Sequence, residues 1–232
     1  MLDPNGFLLV DKPAGMTSHD VVNAVRKMFN IQKAGHGGTL DPSATGLLVL
    51  LIGNGTKMSD RVMGGDKTYE GVMRLGVETD TQDADGEVLS ERGCEGVTEE
   101  ALRDVVATFK GDQYQLPPMV SALKKDGIPL YKLARKGEVV EREPRFIHVY
   151  DFRITEFGLP ESRIIVKCSK GVYVRTLCHD VGAKLGCGGI LQSLRRTQSG
   201  KFNVENATTF AKLKETPRAE FPKLLLPLTT AL

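Results

Sequence analysis

No apolar run in this 232-residue chain is longer than Leu47–Ile52, whereas a helix that crosses a bilayer needs roughly 20 predominantly apolar residues. The N-terminus also lacks the basic-then-apolar order of a secretory leader. Both absences predict a cytoplasmic protein that makes no use of a membrane. Cysteine is scarce: Cys94, Cys168, Cys178 and Cys187 are the only four, and no C-x-x-C pair occurs among them. A chain of this length buries enough core to dispense with disulfides, so all four are expected as reduced thiols.

Several familiar sites are missing as well. His19, His36, His148, His179 and the cysteines never fall at zinc spacing; the nearest approach, Cys178-His179, cannot point both side chains at one metal from a helix. The acidic stretch Asp80 to Gly86 resembles a calcium loop, but with Gly86 in its fixed place the first ligand position is Thr81 and the last is Arg92. It reads as an acidic turn. Gly53-Asn-Gly-Thr-Lys57 lacks the order of a phosphate-binding loop, and no G-x-G-x-x-G or G-x-S-x-G occurs. The chain is expected to use no metal and no cofactor.

What is present is ordinary globular composition, 41% hydrophobic and 26% charged, with its charge unevenly placed. Residues 1–104 carry 10 Lys+Arg against 17 Asp+Glu, and residues 105–232 carry 21 against 12. A basic half suits a polyanion, since neutralised phosphates supply most sequence-independent affinity for nucleic acid; the competing reading is uneven solvated surface charge.

Gly6–Val10 reads as a short buried strand ending at Lys12-Pro13. Thr17 or Ser18 then caps a helix that shares Val21, Val22, Val25, Met28 and Phe29 on one face. Gly35–Gly38 interrupts. Leu47–Ile52 and Thr68–Leu75 read as strands, Thr98 caps a helix over Glu99–Phe109, strands follow at Ile147–Phe157 and Ile164–Cys168, and a helix at Val174–Leu185. Between them, residues 116–143 hold prolines, glycines and Lys124, Lys125, Lys132, Arg135, Lys136 and Arg142, a basic excursion placed to grip a backbone. Strands and helices alternate without regular βαβ spacing, which predicts an α+β fold around a mixed, largely antiparallel sheet.

The segment Gly35-His-Gly-Gly-Thr-Leu-Asp41-Pro-Ser-Ala-Thr-Gly46 stands apart. Its glycines and Pro42 impose special backbone angles and admit another chain closely, which a plain helix-to-strand connection does not require. Asp41 inside it is either a turn-capping residue or a catalytic carboxylate. A second cluster, Ser169 to Thr176, places Tyr173 and Arg175 two residues apart at a strand end, pointing the same way while the chain stays extended. Such an arginine could hold a carboxylate ionised, and the ring could pack beside a base; a surface arginine and a core tyrosine are the plain alternative.

These segments, with Gly6–Ser18, Asp66-Lys-Thr-Tyr69, Thr79–Gly86, Pro118–Lys124 and Leu194-Arg-Arg196, resemble the TruB family of tRNA pseudouridine synthases in order and spacing, across nearly the whole chain. The resemblance implies the pseudouridine synthase fold as one catalytic domain over 1–232, with a thumb-like insertion at about 116–143 and without the C-terminal PUA domain of longer members. It implies that Asp41 is the essential aspartate in isomerising uridine 55 of the T-loop. Tyr69 would stack on the target base, Arg175 would partner Asp41, and Tyr173 and Leu194 would line the uracil pocket. His36 would contact the T-loop, and Lys12 and Pro13 would support the catalytic loop. Lys124, Lys125, Lys132 and Lys136 would meet the RNA backbone. The partner is the T-arm stem-loop of tRNA, with no guide RNA or obligate protein, and the enzyme is expected as a monomer. A non-catalytic RNA-binding or tRNA-folding protein on the same scaffold is the alternative.

Overall fold

The structure is a computed structural model and describes residues 4–134, 136–138 and 140–231. Arg135 and Val139, inside the basic excursion, lie outside the described residues. In chain order the elements are β1 (Gly6–Lys12), α1 (Ser18–Phe29), β2 (Ala34–His36), β3 (Thr45–Ile52), α2 (Ser59–Gly64), β4 (Lys67–Leu75), β5 (Val77–Thr79), β6 (Val88–Glu91), α3 (Glu99–Ala107) and β7 (Gly111–Gln115). They continue with β8 (Lys124–Lys125), β9 (Ile128–Pro129), α4 (Leu130–Ala134), β10 (Arg145–Glu156), β11 (Glu161–Cys168), α5 (Val174–Leu185), β12 (Gly189–Ser199), β13 (Phe202–Asn203), β14 (Thr208–Thr209) and α6 (Phe210–Glu215). Two compact units result, Met1–Tyr69 with Arg195–Leu232 and Glu70–Leu194; β4 and β12 run through the boundary.

In the first unit the strand order is β14-β1-β3-β12. β1 and β3 pair antiparallel from Gly6↔Ile52 to Lys12↔Gly46, while β14 joins β1, and β12 joins β3, in parallel. Leu47–Ile52 is a continuous apolar run because both of its faces are covered. Leu48, Leu50 and Ile52 meet Val21, Val22, Val25 and Phe29 of α1 together with Phe210, Leu213 and Phe221. The alternate residues Leu47, Val49 and Leu51 meet Phe7, Leu9, Val62 and Phe202. Helix α1 begins where the spacing predicts: the Asp20 amide donates to Thr17 Oγ1 at 3.0 Å and the Thr17 amide donates to Asp20 Oδ2 at 2.9 Å, a capping box.

In the second unit the order is β12-β4-β11-β10-β7. β7, β10 and β11 are antiparallel neighbours. Ile147, Val149, Phe152 and Ile154 of β10 are buried on the same side as Leu102, Val106 and Phe109 from α3 and its end, and Phe109 meets Phe152 edge-on. Thr98 caps α3 as expected, its hydroxyl accepting from the Ala101 amide. The basic excursion contains the β8–β9 hairpin and the short α4. The architecture is therefore the expected mixed, mostly antiparallel sheet flanked by helices.

Two local expectations change. Gly35 and His36 do not simply interrupt but form an edge strand, pairing with Leu51 and Leu50 of β3. Gly37 follows with no room for a side chain, since a Cβ there would lie 2.3 Å from Val62 Cγ1. Tyr173 and Arg175 lie at the start of α5, Tyr173 at its N-cap, not on an extended strand end, so the shared-direction argument does not hold for them.

Thr17→Ala removes the hydroxyl that accepts from the Asp20 amide and donates to its carboxylate, leaving the backbone half of the box, and should lower unfolding free energy by about 1 kcal/mol. Urea denaturation measures it; an unchanged midpoint would show that α1 is held by its apolar face alone.

Candidate active site

Asp41 sits, half-buried, on the loop between β2 and β3. The carbonyls around it, from Gly38 through Pro42, all have donors. The buried Arg196 guanidinium donates to Gly38 O at 3.1 Å and Thr39 O at 3.3 Å, and its Nε to Leu47 O at 2.8 Å. Ser18 donates its hydroxyl hydrogen to Leu40 O at 3.1 Å and accepts from the Leu40 amide at 2.8 Å. The Ala44 amide donates to Asp41 O, closing a turn, and the Gly15 amide donates to Pro42 O. Lys12 Nζ completes the set, donating to Pro42 O at 3.1 Å, Pro13 O at 2.9 Å and Met16 O at 2.7 Å.

Sequence dictates each of these contacts. β1 ends at Lys12, paired with Gly46 at the start of β3, so the lysine enters the loop from the strand end. Arg196 is opposite Gly46 on the parallel β12. Gly46 adopts φ +95°, and a Cβ there would fall 2.3 Å from Arg196 O, so only glycine allows the two strands to approach. Arg195 and Arg196 alternate along β12. Arg196 is buried, whereas Arg195 makes two bonds to the Asp11 carboxylate at 2.9 and 2.8 Å.

Burial pushes the Lys12 ammonium down from its ordinary range to about 8; the Asp41 carboxylate opposes that fall and the Arg196 charge adds to it. The Asp41 carboxylate thus favours the charged form of Lys12, whose Nζ donates to the carbonyl of the next residue, Pro42. His36 is also held below the usual histidine range, first by burial and then by the charges of Arg196 and His19, and its Nδ1 is buried without a hydrogen-bond partner.

The second unit has its own buried arginine. Arg175 Nη1 donates to Asp83 Oδ2 at 3.2 Å and to Thr81 O at 3.1 Å, and Nη2 to Val120 O at 2.9 Å. Asp83 Oδ1 accepts from the Thr81 hydroxyl and the Asp85 amide. The acidic turn, which had no role in the sequence, is thus the mount for Arg175. Gln115 brackets Tyr173, accepting from its amide at 2.8 Å and donating to its carbonyl at 3.1 Å.

In the first unit the structure brings Asp41, Lys12, Pro13 and Arg196 around one loop, with His36 on the adjoining β2 and Tyr69 half-buried where that unit's part of β4 ends. In the second it places Tyr173 and Arg175 at the head of α5, and Leu194 against Gly71, where a Cβ would meet Leu194 Cδ1 at 3.4 Å. Lys124, Lys125, Lys132 and Lys136 are exposed on the basic excursion. Sequence reasoning gave no role to Arg196, to Ser18 beyond a possible cap, or to Asp83. A charged residue alternating with another along a strand was the available sign for Arg196. Among the described residues no group of three or more His, Cys, Asp or Glu side chains converges as a metal site.

Known proteins share both the fold and the sequence. The profile of the TruB family pseudouridylate synthase N-terminal domain matches residues 26–174, and that of the tRNA pseudouridylate synthase B C-terminal domain matches residues 175–232. The chain belongs to the TruB family of pseudouridylate synthases. It is 52% identical over 98% of its length to tRNA pseudouridine synthase B of Opitutus terrae, covering 94% of that protein. To the protein of the same name from Syntrophotalea carbinolica it is 46% identical, covering 74%. Among solved structures, a chain of a Cbf5-Nop10-Gar1 complex superposes with TM-score 0.75 at 29% identity over 98% of this chain, which spans 61% of that one.

Arg196→Lys keeps the charge but loses the planar fork that serves Gly38, Thr39 and Leu47. It should cost about 2 kcal/mol or more, because buried carbonyls lose their donors; chemical denaturation decides, and a parental midpoint would contradict the clamp. For His36 the sign follows from its lowered value: below about pH 6.5 the unfolded chain takes up a proton that the folded one resists, so stability falls with pH. His36→Asn should flatten the fall of the urea midpoint between pH 7 and pH 5 relative to the parent, and an identical slope would contradict this.

Proposed function

We propose that the chain converts uridine to pseudouridine in the T-loop of tRNA, at position 55, with Asp41 as the reacting carboxylate. The observation that carries this reading is the loop around Asp41, in which the backbone is held on both sides by buried donors, among them the Lys12 ammonium on the carbonyl next to Asp41. Preorganisation of this kind suits a group that must meet one atom of a flipped nucleotide. The names of the bacterial relatives, tRNA pseudouridine synthase B, support the substrate.

The reaction breaks the bond from uracil nitrogen 1 to the ribose, turns the base over and rejoins it through carbon 5; the carbon 5 proton is lost and nitrogen 1 gains one. Nothing is oxidised and no group is carried away, so an ionised carboxylate suffices, either as nucleophile at ribose or ring or as base toward a ribose proton. The target lies in a folded loop and must leave its stack. In this reading Tyr69 stacks on the flipped base, Tyr173 and Leu194 line its pocket, Arg175 partners the Asp41 carboxylate, His36 meets the opened T-loop, and Pro13 supports the catalytic loop with Lys12. The exposed Lys124, Lys125, Lys132 and Lys136 hold phosphates on a thumb-like insertion, a use supported by the basic half of the chain. The enzyme acts as a cytoplasmic monomer without cofactor, guide RNA or protein partner.

Asp41→Asn keeps size and removes the charge. Pseudouridine formation on a T-arm stem-loop should fall by three orders of magnitude or more, about 4 kcal/mol of barrier, with RNA affinity retained; turnover within about tenfold of the parent would remove Asp41 from its role. Neutralising Lys124, Lys125, Lys132 and Lys136 together should weaken binding and lower its salt slope by up to about one unit per phosphate contact, leaving the saturated rate close to parental. Tyr69→Leu should do the reverse. Affinities at several salt concentrations with single-turnover rates separate the two, and a lysine set that changed only the saturated rate would contradict the division.

A further inference from the structure

The second unit carries a sheet face that none of the roles above uses. On β10, Ile147 and Val149 point into the core, so Phe146 and His148 point outward. Register sets Phe146 opposite Tyr114, and His148 opposite Asp112, on β7. Alternation puts Tyr150 on the same outward face, and the register shift against β11 between Val149 and Asp151 is what returns Phe152 and Ile154 to the core. The rings form a row: Tyr114 and Phe146 meet edge-to-face at 5.8 Å, and His148 and Tyr150 lie 4.4 Å apart. Tyr114 is 73% exposed, Phe146 62% and Tyr150 46%.

Single apolar side chains on a surface need no explanation, but several exposed rings gathered on one sheet face point to a binding site. Cations stand beside it. Lys167 Nζ lies over the Tyr150 ring at 6.0 Å. Of the acids nearby, Asp151 is paired with Lys110 at 3.0 Å and Arg153 at 3.3 Å and Asp112 is hydrogen-bonded to His148, while the exposed Glu141 and Glu143 stand beside Arg142 and Arg145. Position points the same way, because the basic excursion leaves β7 after Gln115 and returns at Arg145, directly beside Tyr114 and Phe146. Arg142 Nη1 donates to Pro117 O at 2.9 Å and closes the base of that excursion. Exposed rings next to a basic element are the chemistry that holds unpaired nucleotides, through base stacking and phosphate contact together. The bases of a stem, already stacked on one another, cannot use such rings.

We propose that Tyr114, Phe146 and Tyr150 form a stacking platform for unpaired bases of the RNA that flank the T-arm. This rests on the reading of the chain as a tRNA-acting enzyme and adds a subsite to it. The test is equilibrium binding of the full chain to two RNAs, a bare T-arm stem-loop and the same stem-loop with a short single-stranded extension carrying 2-aminopurine. The extension should tighten binding about tenfold or more, and the 2-aminopurine fluorescence should be quenched. Tyr114→Ala with Phe146→Ala should lose both effects, while Tyr114→Phe with Phe146→Tyr, which keeps the rings, should retain them; affinity for the bare stem-loop should match across all three proteins. Equal affinity of the parent for the two RNAs, or parental binding and quenching by the alanine pair, would overturn the proposal. So would a change in sedimentation of the alanine pair without RNA, which would assign the face to self-association. Binding and quenching are read without turnover, so an inactive parent would overturn the enzymatic reading and not the platform.

Discussion

The carbonyl oxygens from Gly38 to Pro42 form the constraint on which the site depends. A loop built from glycine and proline has no secondary structure to satisfy its own backbone, and a buried carbonyl without a donor costs about 1–3 kcal/mol. Here Arg196, Ser18, the Ala44 amide, the Gly15 amide and Lys12 supply the donors. Asp41 is the residue in the middle. Its backbone is fixed from both sides, and the side-chain donors Lys12, Ser18 and Arg196 are themselves anchored in β1, α1 and β12, so its side chain starts from a defined position.

This arrangement also explains two buried cations. A lysine and an arginine with no exposed surface would be strongly destabilising if unpaired. Lys12 spends its three hydrogens on three carbonyls, and Arg196 divides its fork among three others. Their charges are offset mainly by carbonyl dipoles, which leaves a positive field for the half-buried Asp41, while burial holds the Lys12 ammonium below its ordinary range. The second unit repeats the device with opposite balance: Arg175 is held by two carbonyls and by a carboxylate, Asp83, which is itself fixed by Thr81 and the Asp85 amide.

Much of the fold was legible because its signals are local. The capping box at Thr17 and Asp20, the doubly buried run Leu47–Ile52, the Thr98 cap and the span of α5 follow from periodicity and capping chemistry. β2 was not legible, because three residues containing glycine and histidine carry no strand pattern and pair only because β3 presents an edge. The long β12 was missed for a related reason: its polar residues bond to distant backbone, as Arg196 does to Leu47, and no spacing records a partner 149 positions away. Asp41 stood out from its glycine-rich setting, whereas Ser18 looked like one of two possible caps. Only the folded chain shows Thr17 taking the cap and Ser18 turning inward to Leu40.

Lys12→Met tests the central claim that the clamp, and not RNA affinity, brings Asp41 to its task. Single-turnover pseudouridine formation on a T-arm stem-loop, measured with Kd on the same protein, should show a rate at least tenfold below the parent, about 1.4 kcal/mol of barrier, with Kd unchanged. A parental rate accompanied by weakened binding would contradict the account and make Lys12 an RNA contact.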